Sequence, residues 1–97
     1  MEGSWALEPS DRLRLVPSAT RRLGADLLVS AGGAERPVER LTGSGPELWG
    51  SFAAGLTLGE AATRLAQRTG AALSAVEPQV LEFAETLVRA QLAERAT

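Results

Sequence analysis

The sequence predicts an α+β domain, with a three-stranded antiparallel sheet followed by a three-helix bundle. Two observations carry this. The first half consists of short strand-like runs punctuated by Gly and Pro, a texture of hairpins. The second half carries three helix-start signatures, Ser44-x-x-Glu47, Thr57-x-x-Glu60 and Ser74-x-x-Glu77, each the pattern of a capping box. A chain of 97 residues, 44% hydrophobic and 23% charged, suits one small soluble domain near the lower limit for a single core.

Residues 1–12 (MEGSWALEPSDR) show no sustained period and read as a flexible N-terminal tail, with residues 13–97 as the folded body. Removing residues 1–10 is accordingly expected to leave the fold intact. Leu13-Arg14-Leu15 alternates briefly before Pro17 interrupts it. Ala19 to Leu23 and Asp26 to Ser30 read as two strands around a tight connection at Gly24, and Ala31-Gly32-Gly33-Ala34 as a turn. Pro37-Val38-Glu39-Arg40-Leu41 is then a third strand, and Pro37, which cannot donate to a ladder, suits a sheet edge.

The first helix is expected over Pro46 to Ala54, burying Leu48, Trp49 and Phe52. Gly55 and Gly59 would each cost about 1 kcal/mol inside a single long helix, so the chain breaks there and restarts at Thr57. The second helix runs from Leu58 to Arg68 and stops at Gly70. Pro78 marks the first turn of the third, which is expected to reach Ala93. Its stripe is Val80, Phe83, Ala84, Leu87 and Leu92. Leu81 and Val88 widen that stripe on one flank, with Glu85 between them.

The chain has no Cys and no His, which removes thiol chemistry and the commonest general base and metal ligand. Ser44, Thr57 and Ser74 already have a role as N-caps, and Glu82 with Glu85 reads as solvated helix surface. No GxxxxGK[ST] phosphate loop occurs. The expectation is a protein that is not an enzyme and needs no cofactor or metal. A formal charge of −2, with Glu77, Glu82, Glu85 and Glu94 toward the C-terminus, argues against nucleic acid as a partner. No run is long enough to span a membrane, and Met1-Glu-Gly-Ser-Trp lacks the pattern of a signal peptide. The cytoplasm is therefore the expected location.

The sharpest constellation is a widened helix beside an edge strand. Such a pair forms a groove for strand addition, although periodicity alone is equally consistent with a plain structural core. The order Arg40-Leu41-Thr42-Gly43…Glu47-Leu48-Trp49, Ala54-Gly55-Leu56-Thr57-Leu58-Gly59-Glu60-Ala61-Ala62…Leu65, then Val76…Val80-Leu81-Glu82-Phe83…Leu87…Leu92 resembles the PqqD-like family. Members of that family are winged-helix-like recognition elements of ribosomal peptide natural-product (RiPP) biosynthesis.

The resemblance implies a peptide chaperone that binds the leader of a precursor peptide as an added strand. The leader lies between the third strand and the third helix, and is presented to a peptide-modifying enzyme or leader peptidase. By position it assigns Val38, Glu39, Arg40 and Leu41 to the strand edge, and Leu81, Glu85 and Val88 to the helix wall. Thr42 and Glu39 depart from the family pattern, where Asn and an apolar or aromatic residue are common. The alternative reading is a winged-helix DNA-binding regulator, which the acidic third helix disfavours.

Overall fold

The computed structural model describes residues 6–32 and 37–96. It is α+β, with a three-stranded antiparallel sheet, a second, two-stranded sheet and three helices. The first strand, β1 (Arg12–Leu15), pairs antiparallel with the last, β5 (Ala93–Ala96). Strands β2 (Ala19–Leu23), β3 (Asp26–Ser30) and β4 (Glu39–Leu41) form the larger sheet in that order, so β4 stands at its edge. Helices α1 (Gly45–Ala53), α2 (Leu58–Thr69) and α3 (Leu73–Arg89) follow.

The β2–β3 turn has two residues, with Gly24 at φ +63° supplying the positive dihedral that matches the strand twist. Side chains alternate across β3. Leu27 and Val29 face inward and are buried with Leu41 of β4, while Leu28 lies on the other face. Of the turn expected at 31–34, Gly33 and Ala34 lie outside the described residues; Gly32 takes φ +81°.

The helix stripes close the core as expected for Leu48, Trp49 and Phe52 on α1, and for Leu58, Ala61, Ala62 and Leu65 on α2. On α3 the buried positions are Val76, Val80, Ala84 and Leu87. The break between α1 and α2 is a Schellman turn. Gly55, at φ +89°, donates to the Phe52 carbonyl at 3.0 Å, and Leu56 donates to that of Ser51 at 3.2 Å.

Only one of the three expected capping boxes forms, the one at Thr57. Ser44 already has helical dihedrals (φ −80°, ψ −5°), which keep its hydroxyl from the N3 amide. At α3 the N-cap is Ala72, so Ser74 falls inside the helix. Pro78 is inside α3 as well, past the first turn, and leaves the Ser74 carbonyl without its usual i+4 donor.

Two further expectations are corrected. The third helix ends at Arg89, not at Ala93. Gln91 adopts φ +64° and donates to Val88, while Leu92 donates to Leu87 at 2.9 Å, another Schellman stop. Leu92 is buried, but it leads into β5 rather than extending a helical stripe.

The expected tail is also part of the body over residues 6–12. Leu7 is 7% exposed in the core, and Arg12 begins β1. The segment docks on the first turn of α2, where the Leu58 amide donates to Asp11 O at 2.9 Å and the Gly59 amide to Pro9 O at 2.8 Å. Glu60 N donates to Thr57 Oγ1 (3.0 Å) and Thr57 N to Glu60 Oε1 (2.8 Å). All four amides that a helix start leaves without internal partners are thereby satisfied. A Cβ on Gly59 would come within 3.2 Å of the Pro9 carbonyl oxygen, which explains a glycine in the first turn of a helix. Residues 1–5, including Trp5, lie outside the described residues.

Two outcomes follow. Leu7→Ala should lower unfolding stability by about 2–5 kcal/mol in urea titrations, where a dispensable tail would show no change. The Glu60 carboxyl is held below its ordinary value of 4.5, chiefly by the Thr57 amide that it accepts. A depressed folded-state value gives stability that is present above pH 4.5 and lost as pH falls through the lower folded value. Glu60→Gln should therefore flatten the acid side of the stability profile, as thermal melts across pH 3–6 would show.

Candidate functional site

The register of the larger sheet determines what its edge offers. A two-residue hairpin closes on a hydrogen-bonded pair, here Leu23 with Asp26. Alternation then turns the backbone groups of Asp26, Leu28 and Ser30 toward β2, and those of Leu27 and Val29 toward β4. Leu27 faces Leu41 and Val29 faces Glu39, so Leu41 and Glu39 are engaged with β3. Arg40, between them, directs its N–H and C=O away from the sheet. The edge strand thus presents one donor and one acceptor outward, from a residue that is itself exposed.

The side chains divide by the same alternation. Leu41 is buried, and Glu39, half-buried, lies on the same face. Arg40 lies on the outer face, in one row with Leu28 and Arg21. Its Nε donates to Asp26 Oδ2 at 2.8 Å, and its Nη2 stands 2.7 Å from that oxygen. Val38, just before β4, is 59% exposed. It shares a shallow depression of about 250 Å³ on the outer face with Ala19, Arg21 and Leu28.

Helix α3 meets this region through Phe83. A Cβ on Gly45 would lie 3.2 Å from Leu41 Cβ and 3.4 Å from the Phe83 ring, so the start of α1 is wedged between them. The Phe83 ring also stacks on Phe52, with centroids 6.4 Å apart. Gln79 and Thr86, both exposed, continue this flank away from the core stripe.

The structure does not bring the expected wall residues to the same flank. Leu81 and Glu85 are each two positions from Phe83, about 160° around the helix, and Val88 is about 140° around. All three are half-buried on the far side. Val88 lines a depression of about 450 Å³ with Val16, Gln91, Ala93, Glu94 and Arg95, beside β5. The assignment of these three to a wall beside the edge strand is therefore corrected. Phe83, packed against Gly45, is the α3 side chain on the flank toward Leu41. Its position at the margin of the apolar stripe was the available signal.

Free strand sides also exist at β2, the other edge of the larger sheet, and at β5. The Val16 amide donates to Leu92 O at 2.9 Å, so by alternation Ala93 and Arg95 turn their backbone groups outward. Ala93 is only 3% exposed, so that side is covered where a strand would need to approach. Glu94 lies in β5, where it pairs across the strands with Arg14 at 2.9 Å. Helix α3 keeps Glu77, Glu82 and Glu85 against Arg89. No helix among the described residues is long and apolar enough to cross a membrane.

Comparisons with models of known protein families, with curated proteins and with solved structures find no significant match to this chain.

The apolar contact at this site can be separated from the fold. Phe83→Leu should keep the Gly45 wedge filled and cost no more than about 1.5 kcal/mol. Gly45→Val, which forces a branched side chain against Leu41 Cβ, should cost more than Phe83→Leu in the same chemical denaturation series. The reverse order would show that Phe83 does not pack where described.

Proposed function

We propose that this protein is a non-catalytic adaptor that binds an extended peptide segment by strand addition to β4. In the setting that the PqqD-like resemblance implies, the segment is the leader of a ribosomally made precursor, presented to a maturation enzyme in the cytoplasm. The observation that carries the reading is the outward-facing N–H and C=O of exposed Arg40 on an edge strand. An added strand supplies the partners these groups lack within the sheet. Phe83, across Gly45 from Leu41, offers an apolar surface for an inward-pointing side chain of the peptide. Affinity comes from main-chain bonds, and register from that contact.

The DNA-binding alternative is less well supported. A recognition helix should carry cations toward phosphates, whereas α3 carries three glutamates and one arginine.

Titration with candidate leader peptides, followed by NMR shift mapping, tests the proposal. Arg40→Pro removes the outward donor but no ladder bond to β3, so the domain should stay folded while affinity falls about three- to tenfold. Phe83→Ala should weaken the same peptide, and Leu81→Ser, on the opposite flank, should leave affinity unchanged. A peptide that ignores Arg40→Pro and Phe83→Ala but is lost with Leu81→Ser would move the site to the β5 side of α3.

A further inference from the structure

The charges on β4 also restrict which extended segment can be added. We propose that the docked strand carries an acidic residue opposite Arg40, between an apolar residue opposite Leu41 and a basic residue opposite Glu39. This rests on the strand-addition reading above and names the chemistry of its ligand.

In an antiparallel addition, directly opposed side chains share a face of the sheet. The residue opposite Leu41 points to the inner face, where Phe83 stands on the other side of Gly45. The next residue of the peptide is opposite Arg40 and points to the outer face. Its side chain meets a guanidinium already held in place by Asp26 through Nε and Nη2. Arg21 lies two strands further along the same row, with Leu28 between, so two of the three residues in that row of the sheet are cationic. Asp26 offsets one of these charges, and the row still carries net positive character.

The third residue is opposite Glu39 and returns to the inner face, beside a half-buried carboxylate. A cation satisfies that position, and an anion is repelled. Because β4 runs from Glu39 to Leu41, an antiparallel peptide reads apolar, acidic, basic from its N-terminus. Aspartate or glutamate in the middle position uses the planar fork of the guanidinium, a geometry that a lysine at position 40 would not supply.

The test uses two synthetic peptides of identical composition, capped at both ends and built on a threonine background. One carries Leu-Glu-Lys at its centre and the other Leu-Lys-Glu. Shift perturbations locate each on the domain, and fluorescence anisotropy measures affinity. The first peptide should bind β4 roughly tenfold more tightly, since two opposed pairs change from attraction to repulsion between the two. The preference should shrink in about 1 M salt, where the screening length is about 3 Å. Arg40→Glu with Glu39→Arg should reverse the order of the two peptides, a result that a general loss of folding or affinity cannot produce. Equal binding of both peptides at β4 would overturn the charge pattern while leaving strand addition standing. Perturbations confined to other surfaces with both peptides would remove strand addition and the charge pattern together.

Discussion

The fold depends on the docking of the N-terminal segment onto the first turn of α2. Helix starts expose amides that must find acceptors, and here two are supplied by the Pro9 and Asp11 carbonyls rather than by water. The same segment buries Leu7 and leads directly into β1, whose pairing with β5 joins the beginning of the chain to its end. Arg95 reinforces this from the other side, donating to the Ala6 carbonyl at 2.6 Å and lying 3.6 Å from Asp11. A core of this size has little stability to spare, and the β1–β5 pairing ties together two segments far apart in sequence.

That closure leaves the larger sheet with a different character. It is held to the helices by one face, through Leu27, Val29 and Leu41, and β2 is exposed along its whole length. Its other face carries Arg21, Leu28 and Arg40 in one row. Natural edges are commonly blunted by charge, and Arg40 and Glu39 serve that purpose on a strand of three residues. The same charges that discourage indiscriminate pairing would favour a strand of complementary pattern. Protection from aggregation and recognition of one class of segment are thus compatible on a single edge.

Much of the architecture was legible because it rests on local chemistry. The β2–β3 hairpin follows from Gly24, the helix break from Gly55, and the start of α2 from Thr57 and Glu60. Three features were not legible, for a common reason. Leu7, the β1–β5 pairing and the docking partner of Gly59 are all contacts between residues far apart in sequence, and no periodic pattern records them. Gly59 carried a trace of this, since a glycine in a first turn needs a reason, but the sequence does not say what approaches it. The end of α3 was misplaced because Gln91 adopts a left-handed conformation usually given to Gly or Asn.

The candidate site divides along the same line. The open edge at β4 follows from strand order and from the position of Pro37, and both can be read from the chain. The helix wall required knowing how α3 is rotated about its axis. Val80, Ala84 and Leu87 fix the inward direction, yet apolar residues flank them on both sides. Periodicity puts Phe83 in the core stripe and Leu81 with Val88 on its flank, and the packing around Gly45 is what sets Phe83 toward Leu41.

Amide hydrogen exchange at single-residue resolution, with and without a bound leader peptide, tests the central claim most directly. In the free protein, the Arg40 amide should exchange quickly between slower Glu39 and Leu41 amides. Peptide should slow Arg40 markedly while leaving Ala93 and Arg95 unchanged. Fast exchange at Arg40 in the complex, with new protection at Ala93 and Arg95, would contradict the account and transfer the docking strand to β5.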